Sequence, residues 1–190
     1  MKLYRAVPIP GFVDKQRKVR HPGRRLPSNI PYLVDNMWEF TRPASMPSRR
    51  HAVYASPTAE LALDNASAAG VDRAGYVVCE LVFDKEPPMI QLSVKDARRH
   101  DDVANIQREV NSLLGRWVET DLANKNTLAA LFLPGTSKDE LMGAMEAQPR
   151  LKEIVLEASK LVTLWKDEPS ADGEFFFEVL DGNGYVLTKI

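Results

Sequence analysis

The sequence predicts a mixed α+β fold, because strand patterns gather near both ends of the chain and helical patterns fill the middle. GYVVCELVF, 75–83, is rich in β-formers and almost entirely apolar, which is typical of a buried strand. EFFFEVL, 174–180, and YVLTKI, 185–190, are further strands, and the DGNG that joins them predicts a β-hairpin. This arrangement favours an α+β domain over alternating βαβ units.

The composition is that of a globular protein. Of the 190 residues 44% are hydrophobic and 27% charged, which suits a single domain spanning 1–190. No run approaches the roughly 18 apolar residues that a membrane helix needs, and the N-terminus lacks the apolar region of a signal peptide. We therefore expect a cytoplasmic protein with no membrane partner. Cys79 is the single cysteine and the three histidines are scattered, so no disulfide and no metal site is expected.

In the N-terminal half, two predicted strands are separated by irregular segments. KLYRAVP, 2–8, is a short strand, and RHAVYAS, 50–56, is a strand that leads into a helix. Ser56 is suited to cap that helix. Between the strands lie a basic segment rich in Pro and Gly, 14–31, predicted as a loop or irregular arm, and a short buried helix or turn at 32–40.

The middle of the chain, about 95–160, is predicted to be mainly a helical insertion in the same domain. Apolar residues recur at helical spacing over 101–115, and Ser137 with Glu140 forms a capping box that opens a helix. The other predictions here are a helix that begins near 151, a segment of ambiguous type at 128–133, and strands at 89–92 and 161–165.

Charge is distributed unevenly along the chain. Residues 1–50 hold 11 Lys and Arg against 3 Asp and Glu, whereas the remainder holds 14 against 23. The basic part therefore faces something anionic, which the sequence leaves open between a dinucleotide pyrophosphate, a nucleic acid and the protein's own acidic half. The candidate contacts to a nucleic acid are Lys15, Arg17, Lys18, Arg20, Arg24 and Arg25.

The chemistry-bearing residues are an arginine, a serine and a glutamate rather than a familiar catalytic motif. The chain has no phosphate-binding glycine loop, nucleophile elbow or HExxH. Arg5 lies on the first strand in LYRAV. Ser56 and Thr58 follow a later strand in VYASPTAELAL, and Glu178 precedes the predicted last hairpin.

The order of these three islands, which cover about a third of the chain, resembles the R-S-E class of ADP-ribosyltransferases. The resemblance implies a split β-sheet core, NAD as the substrate, and transfer of ADP-ribose to a macromolecular acceptor, a protein rather than a nucleic acid. It also implies that Glu178 stabilises the positive charge that develops on the ribose when the nicotinamide leaves. Toxins and effectors are among the proteins of this type.

The same resemblance gives the other residues binding roles. Arg5 would bind the pyrophosphate through its guanidinium, and Ser56, with Thr58 beside it, would bind the ribose near a helix start. Tyr54 or Trp38 would stack on the nicotinamide. Structural roles explain three of these residues equally well, since Arg5 suits a surface strand, Ser56 a helix cap, and Glu178 the polar face of a strand.

One position departs from the family pattern. Many members carry Glu or Gln two residues before the catalytic Glu, where it activates the acceptor, and this chain has Phe176 there. Another acceptor, or water in an NAD-glycohydrolase toxin, is therefore an alternative. The acidic loop 165–174 would prefer a basic acceptor.

A second patch supports a non-catalytic alternative. Arginines are interleaved with aromatic residues over 36–56, a pattern that suits phosphate binding and base stacking or, equally, a solvated loop anchored by two buried rings. Its members are Trp38, Phe40, Arg42, Arg49 and Arg50. With the basic N-terminal segment, the patch fits a nucleic-acid-binding module.

Overall fold

The computed structural model shows an α+β protein and describes residues 1–19, 29–67, 72–115 and 121–190. The chain divides into two compact units. Unit one is built from the N-terminal segment, Ala44–Ala97 and Asp167–Ile190. Unit two is built from the segment that ends at Pro43 and from Arg98–Lys166.

The elements follow one another in chain order. They are β1 (Leu3–Pro8), β2 (Arg17–Val19), α1 (Tyr32–Thr41), β3 (Ala52–Ala55), α2 (Ala59–Ser67), β4 (Tyr76–Phe83), β5 (Met89–Gln91), α3 (Asp101–Leu114), α4 (Leu122–Phe132), α5 (Lys138–Ala147), α6 (Pro149–Ser159), β6 (Phe175–Glu178) and β7 (Gly184–Lys189). All seven strands lie in unit one, together with α2.

Unit one contains two antiparallel sheets. Sheet A has the strand order β1-β4-β7-β2, and sheet B has the order β3-β6-β5. In sheet B, Ala52 lies opposite Glu178 and Tyr54 lies opposite Phe176. β2 pairs with β7, so the prediction of a wholly irregular arm over 14–31 is wrong at this strand.

The predicted hairpin between the last two strands is wrong, because β6 belongs to sheet B and β7 to sheet A. The turn itself is present. Asn183 N donates to Leu180 O at 3.1 Å, and Gly182 has φ +82°, a conformation that favours glycine. The turn residues encode a reversal of the chain, but the strands on either side find partners elsewhere.

A continuous apolar core fills unit one. Phe175, Phe177 and Val179 project to the side where the buried Val77, Cys79 and Leu81 of β4 also cluster. Leu3, Ala55, Tyr185 and Leu187 complete the buried cluster. Since successive side chains of a strand alternate between faces, Phe176 and Glu178 lie on the opposite face of sheet B.

A backbone bridge joins the edge strands of the two sheets. Tyr4 N donates to Ser56 O at 2.9 Å, and Ser56 N donates to Tyr4 O at 2.8 Å. β1 is an edge of sheet A, and Ser56 directly follows β3, an edge of sheet B. The bridge therefore fixes the first strand of the chain against Ser56, three residues before α2 begins at Ala59.

Unit two is helical and has its own core. The capping box at Ser137 and Glu140 is confirmed at the start of α5, and the ambiguous segment 128–133 proves to be the C-terminal part of α4. The strand predicted at 161–165 is wrong, because Leu164–Lys166 form a 3-10 turn.

The described residues contain no helix with the length and apolarity to cross a membrane.

A buried carboxylate explains why 161–165 does not form the predicted strand. Asp102, 1% exposed, accepts hydrogen bonds from Trp38 Nε1 at 2.8 Å, from Thr163 Oγ1 at 2.7 Å, and from the backbone N–H groups of Thr163 and Leu164 at 3.1 Å. Those N–H groups would be ladder donors in a strand. Because the carboxylate binds them, the segment turns around Asp102 instead.

Replacing Asp102 by Ala is expected to destabilise unit two. The change leaves four donors without their acceptor, and we expect a loss of about 3 kcal/mol or more in the free energy of unfolding. Urea unfolding followed by circular dichroism measures it. The exposed neighbour Asp101→Ala is the control, with an expected loss below about 1 kcal/mol; equal losses in the two variants would contradict the role of Asp102.

Two glycine-to-alanine substitutions are expected to change the free energy of unfolding in opposite directions. A Cβ on Gly173 would overlap the carbonyl oxygen of Leu92, so Gly173→Ala must displace backbone and is expected to cost about 1–3 kcal/mol. Gly143 lies inside α5 with open space around it, so Gly143→Ala is expected to stabilise by about 0.5–1 kcal/mol. Thermal unfolding of both variants tests the pair, and a stabilising Gly173→Ala would show that the close approach to Leu92 is not a constraint.

Candidate functional site

Arg5 lies on β1, an edge strand of sheet A, and its side chain reaches β3, an edge strand of sheet B. It shares a face of β1 with Leu3 and Val7, which pack against the core of unit one. Arg5 Nη1 donates to the carbonyl oxygen of Tyr54 at 3.1 Å, and the residue is half-buried. Its guanidinium is therefore held at a defined place beside β3 and is not a solvated surface charge.

Ser56 is placed next to Arg5 by the bridge to Tyr4. Only 3% of the residue is exposed, and its Oγ accepts a hydrogen bond from Asn65 Nδ2 at 3.3 Å. The prediction that Ser56 caps the following helix is wrong, since α2 begins at Ala59 and Thr58 Oγ1 accepts from Leu61 N at 3.2 Å. The extended bridge keeps Ser56 in strand geometry, so the helix begins later and Thr58 supplies the cap.

Tyr54 and Phe176 form a cross-strand pair on the face of sheet B opposite the core. Their ring centroids are 6.2 Å apart. The guanidinium carbon of Arg49 lies 5.3 Å from the Tyr54 centroid and 5.6 Å from that of Phe176, within the range of cation–π contacts. Tyr54 Oη also donates to Arg49 O at 3.0 Å. The ring of Tyr54 is thus held by Arg49 at two points.

Glu178 lies on the same face of sheet B, at the end of β6. It is opposite Ala52 and diagonal to Tyr54, a relation that places the two Cα atoms about 7–8 Å apart. Its Oε2 accepts a hydrogen bond from Ser48 N at 3.1 Å, and the residue is half-buried. A fixed N–H donor, rather than solvent alone, therefore positions this carboxylate.

The segment Ser48–Arg50 connects these side chains. Its residues are buried, with exposures of 4%, 6% and 3%. His51 N donates to Ser48 O at 3.1 Å, and Ala52 N donates to Arg49 O at 3.3 Å, so the segment forms a turn that leads directly into β3. Sequence reasoning did not select Ser48, because its contribution is a backbone N–H that nearly every residue carries.

The described residues of unit one place Arg5, Tyr54, Ser56 and Glu178 on or beside one strand pair, β3–β6, although 173 positions separate Arg5 from Glu178 in the sequence. Arg5 bonds the main chain of β3, Ser56 bridges to the neighbour of Arg5, and Glu178 lies one strand away from Tyr54. Thr58 is exposed at the start of α2. Arg5 and Ser56 lie toward the Ala55 end of β3, whereas Glu178 lies opposite Ala52 at the other end, and Tyr54 lies between them.

Trp38 has a different position from the other site candidates. It belongs to unit two, is 1% exposed, and donates its indole N–H to Asp102. Its ring makes an edge contact with His100 at 5.9 Å between centroids. Because its surface is covered by the core of its own unit, Trp38 offers no face to a ligand in this structure. Tyr54 is the aromatic candidate that lies with Arg5 and Glu178.

The aromatic and arginine patch predicted over 36–56 does not belong to one element. Trp38, Phe40 and Arg42 are in unit two, whereas Arg49 and Arg50 are buried in unit one. The patch is therefore not a single solvated strip of arginines and rings.

The basic N-terminal segment is only partly described. Arg20, Arg24 and Arg25 lie outside the described residues. Arg17 donates from Nε and Nη2 to Asp84 Oδ2 at 2.9 and 2.7 Å, Lys18 Nζ donates to Gln16 Oε1, and Lys15 N donates to Leu187 O. The charge of Arg17 is thus partly neutralised within the fold.

The acidic loop 165–174 uses most of its carboxylates internally. Asp167 accepts from Ser93 N at 2.7 Å, Asp172 pairs with Lys95 at 3.1 Å, and Glu174 accepts from Ala97 N at 3.0 Å. Glu168 is exposed. The loop is therefore anchored to the segment that follows β5 by its own acidic groups.

Two other features bear on the chemistry. Burial raises the pKa of the Cys79 thiol above its ordinary value, so this core residue stays protonated and is a poor nucleophile. Among the residues that the structure describes, no group of three or more His, Cys, Asp or Glu side chains gathers as a metal site.

Comparison of the chain with protein-family models, with curated proteins and with solved structures finds no match. The functional argument therefore rests on the geometry of this site.

Removing the Thr58 hydroxyl is expected to destabilise α2 while the equivalent change at Ser56 leaves the helix start intact. Thr58→Ala removes the cap to Leu61 N and is expected to cost about 0.5–2 kcal/mol. Hydrogen exchange of the Leu61 amide measures the local effect. Ser56→Ala is the control, because its backbone bridge to Tyr4 is unaffected; faster exchange at Leu61 in Ser56→Ala alone would contradict the capping assignment.

Proposed function

We propose that this protein is an NAD-dependent ADP-ribosyltransferase, in which the two sheets of unit one form the split core of an ADP-ribosyltransferase-like fold. The single observation that carries the proposal is that Arg5, Ser56 and Glu178, from three distant parts of the sequence, all lie on or beside the strand pair β3–β6 around Tyr54. A guanidinium, a hydroxyl and a carboxylate along one strand pair supply the groups that binding and cleaving an extended dinucleotide need.

Glu178 supplies the negative charge. When the bond between nicotinamide and ribose breaks, positive charge develops on the ribose, and a carboxylate fixed beside it stabilises that charge. The hydrogen bond from Ser48 N to Oε2 fixes one oxygen of Glu178. A carboxylate held in this way is suited to the ribose and its 2′-hydroxyl.

Arg5, Ser56 and Tyr54 supply binding groups. The guanidinium of Arg5 matches the paired oxygens of a pyrophosphate, and its bond to the Tyr54 carbonyl orients it. Ser56 adds a hydroxyl at a position fixed by its backbone bridge. Tyr54, on the face that carries Glu178, offers a ring on which a nicotinamide stacks.

A second candidate function is hydrolysis of NAD, with water in place of the macromolecular acceptor. It is favoured by Phe176, which occupies the position where many R-S-E ADP-ribosyltransferases carry an acceptor-activating Glu or Gln. A phenyl ring has no polar group with which to activate an acceptor, and Phe176 is fully buried, 5.6 Å from the guanidinium carbon of Arg49. A third candidate, a nucleic-acid-binding module, draws less support, because Arg17 is already bound to Asp84.

The Glu178→Gln variant is expected to lose the ability to cleave NAD. The amide keeps the size of the side chain but removes the charge that stabilises the ribose cation, so we expect nicotinamide release to fall by at least about 100-fold. The assay incubates the full chain with NAD labelled in both the nicotinamide and the adenosine, with and without a cell lysate. Label on macromolecules indicates transfer, and free ADP-ribose alone indicates hydrolysis.

Glu153→Gln is the matched control. Glu153 is an exposed carboxylate of α6, in unit two, that pairs with Arg150 at 2.6 Å, so its variant is expected to keep wild-type activity. A wild type that releases no nicotinamide would end the enzyme proposal. A steep dependence of nucleic-acid affinity on salt would then favour the binding module.

A further inference from the structure

We infer that Arg49 is a positioning residue for cleavage of the nicotinamide–ribose bond, which holds Tyr54 and Glu178 without touching the reacting atoms. The inference rests on the proposed function and identifies a part of that site to which neither the motif order nor the resemblance assigns a role. It follows from three contacts. The Arg49 guanidinium lies over the Tyr54 ring, the Arg49 carbonyl accepts from the Tyr54 hydroxyl, and the turn that contains Arg49 binds Glu178.

The first contact restrains the ring of Tyr54. The guanidinium carbon of Arg49 is 5.3 Å from the Tyr54 centroid and 5.6 Å from the Phe176 centroid. Both rings project from the face of sheet B that also carries Glu178. One cation therefore contacts both members of a cross-strand pair and limits how far the Tyr54 ring can rotate.

The second contact fixes the hydroxyl of Tyr54. Its Oη donates to Arg49 O at 3.0 Å, so the same residue holds the ring at its face and at its tip. The carbonyl of Arg49 also accepts from Ala52 N at 3.3 Å. Because Ala52 begins β3 and lies opposite Glu178, the turn is tied directly to the strand pair that carries the site.

The third contact concerns Glu178. Ser48 N, which precedes Arg49 by one residue, donates to Glu178 Oε2 at 3.1 Å. Ser48 and Arg49 belong to one buried turn, closed by the bond from His51 N to Ser48 O. Any shift of the Arg49 side chain that moves this turn also moves the donor that fixes the carboxylate.

The charge of Arg49 gives this arrangement its specificity. A buried guanidinium carries a desolvation cost that an aliphatic side chain of similar volume avoids, so filling space is a poor explanation for its presence. A methionine fills comparable volume without the charge, and a lysine keeps the charge without the planar fork. These two replacements therefore separate packing from the cationic contact with the rings.

The test measures steady-state nicotinamide release from NAD by the full-length wild type, Arg49→Met and Arg49→Lys. A misplaced catalytic group costs turnover, so we expect kcat of Arg49→Met to fall by about 100-fold while KM changes little. Arg49→Lys is expected to recover part of kcat, since an ammonium keeps a cation over the rings. Arg108→Met, which removes an exposed arginine of α3 that bonds Asn105, is the control and is expected to keep the wild-type kcat.

The melting temperature of each variant separates positioning from folding. A folded Arg49→Met that keeps the wild-type kcat, even with a lower melting temperature, overturns the inference and leaves the proposed function standing. A wild type that releases no nicotinamide overturns the proposed function and the inference with it. If Arg49→Met does not fold, Tyr54→Phe decides, because it removes only the bond to Arg49 O; a kcat lowered with little change in KM supports the inference, and an unchanged kcat overturns it.

Discussion

Two backbone hydrogen bonds between Tyr4 and Ser56 are the constraint on which the candidate site depends. They tie the edge of one sheet to the end of an edge strand in the other. Arg5 follows Tyr4, so the bridge places its guanidinium beside β3, where Nη1 donates to the carbonyl oxygen of Tyr54 at 3.1 Å. The same bridge keeps Ser56 extended and delays the start of α2 until Ala59. The bridge therefore places Arg5 beside Ser56, although the serine lies 51 residues later in the sequence.

The register of sheet B is the second constraint, and the phenylalanines of β6 set it. Phe175 and Phe177 are buried in the core, which sends Phe176 and Glu178 to the other face. A slip by one residue would place Glu178 in an apolar core and Phe177 beside Tyr54, at a large cost from the buried charge. Hydrophobic packing on one face of the strand therefore determines the position of a carboxylate on the other.

In unit two a polar group has the organising role. Asp102 gathers an indole, a hydroxyl and two backbone N–H groups, and its own N–H is bound by His100 at the start of α3. A buried carboxylate is tolerated because these four donors satisfy its oxygens. This hub turns the chain at Thr163, where the β-formers of 161–165 favour a strand when considered locally. The hydrogen bonds to Asp102 therefore outweigh the local β-propensity of this segment.

The sequence by itself determined the features that depend on nearby residues. It gave the α+β class, the buried strand β4, the capping box at Ser137 and the turn at Gly182, because each follows from periodicity, propensity or cap chemistry within a few positions. Only the tertiary structure decided that β6 and β7 belong to different sheets, that Thr58 rather than Ser56 caps α2, and that Ser48 and Arg49 lie with Glu178 and Tyr54. Those outcomes depend on which distant strand supplies a hydrogen-bond partner, and no local pattern carries that choice.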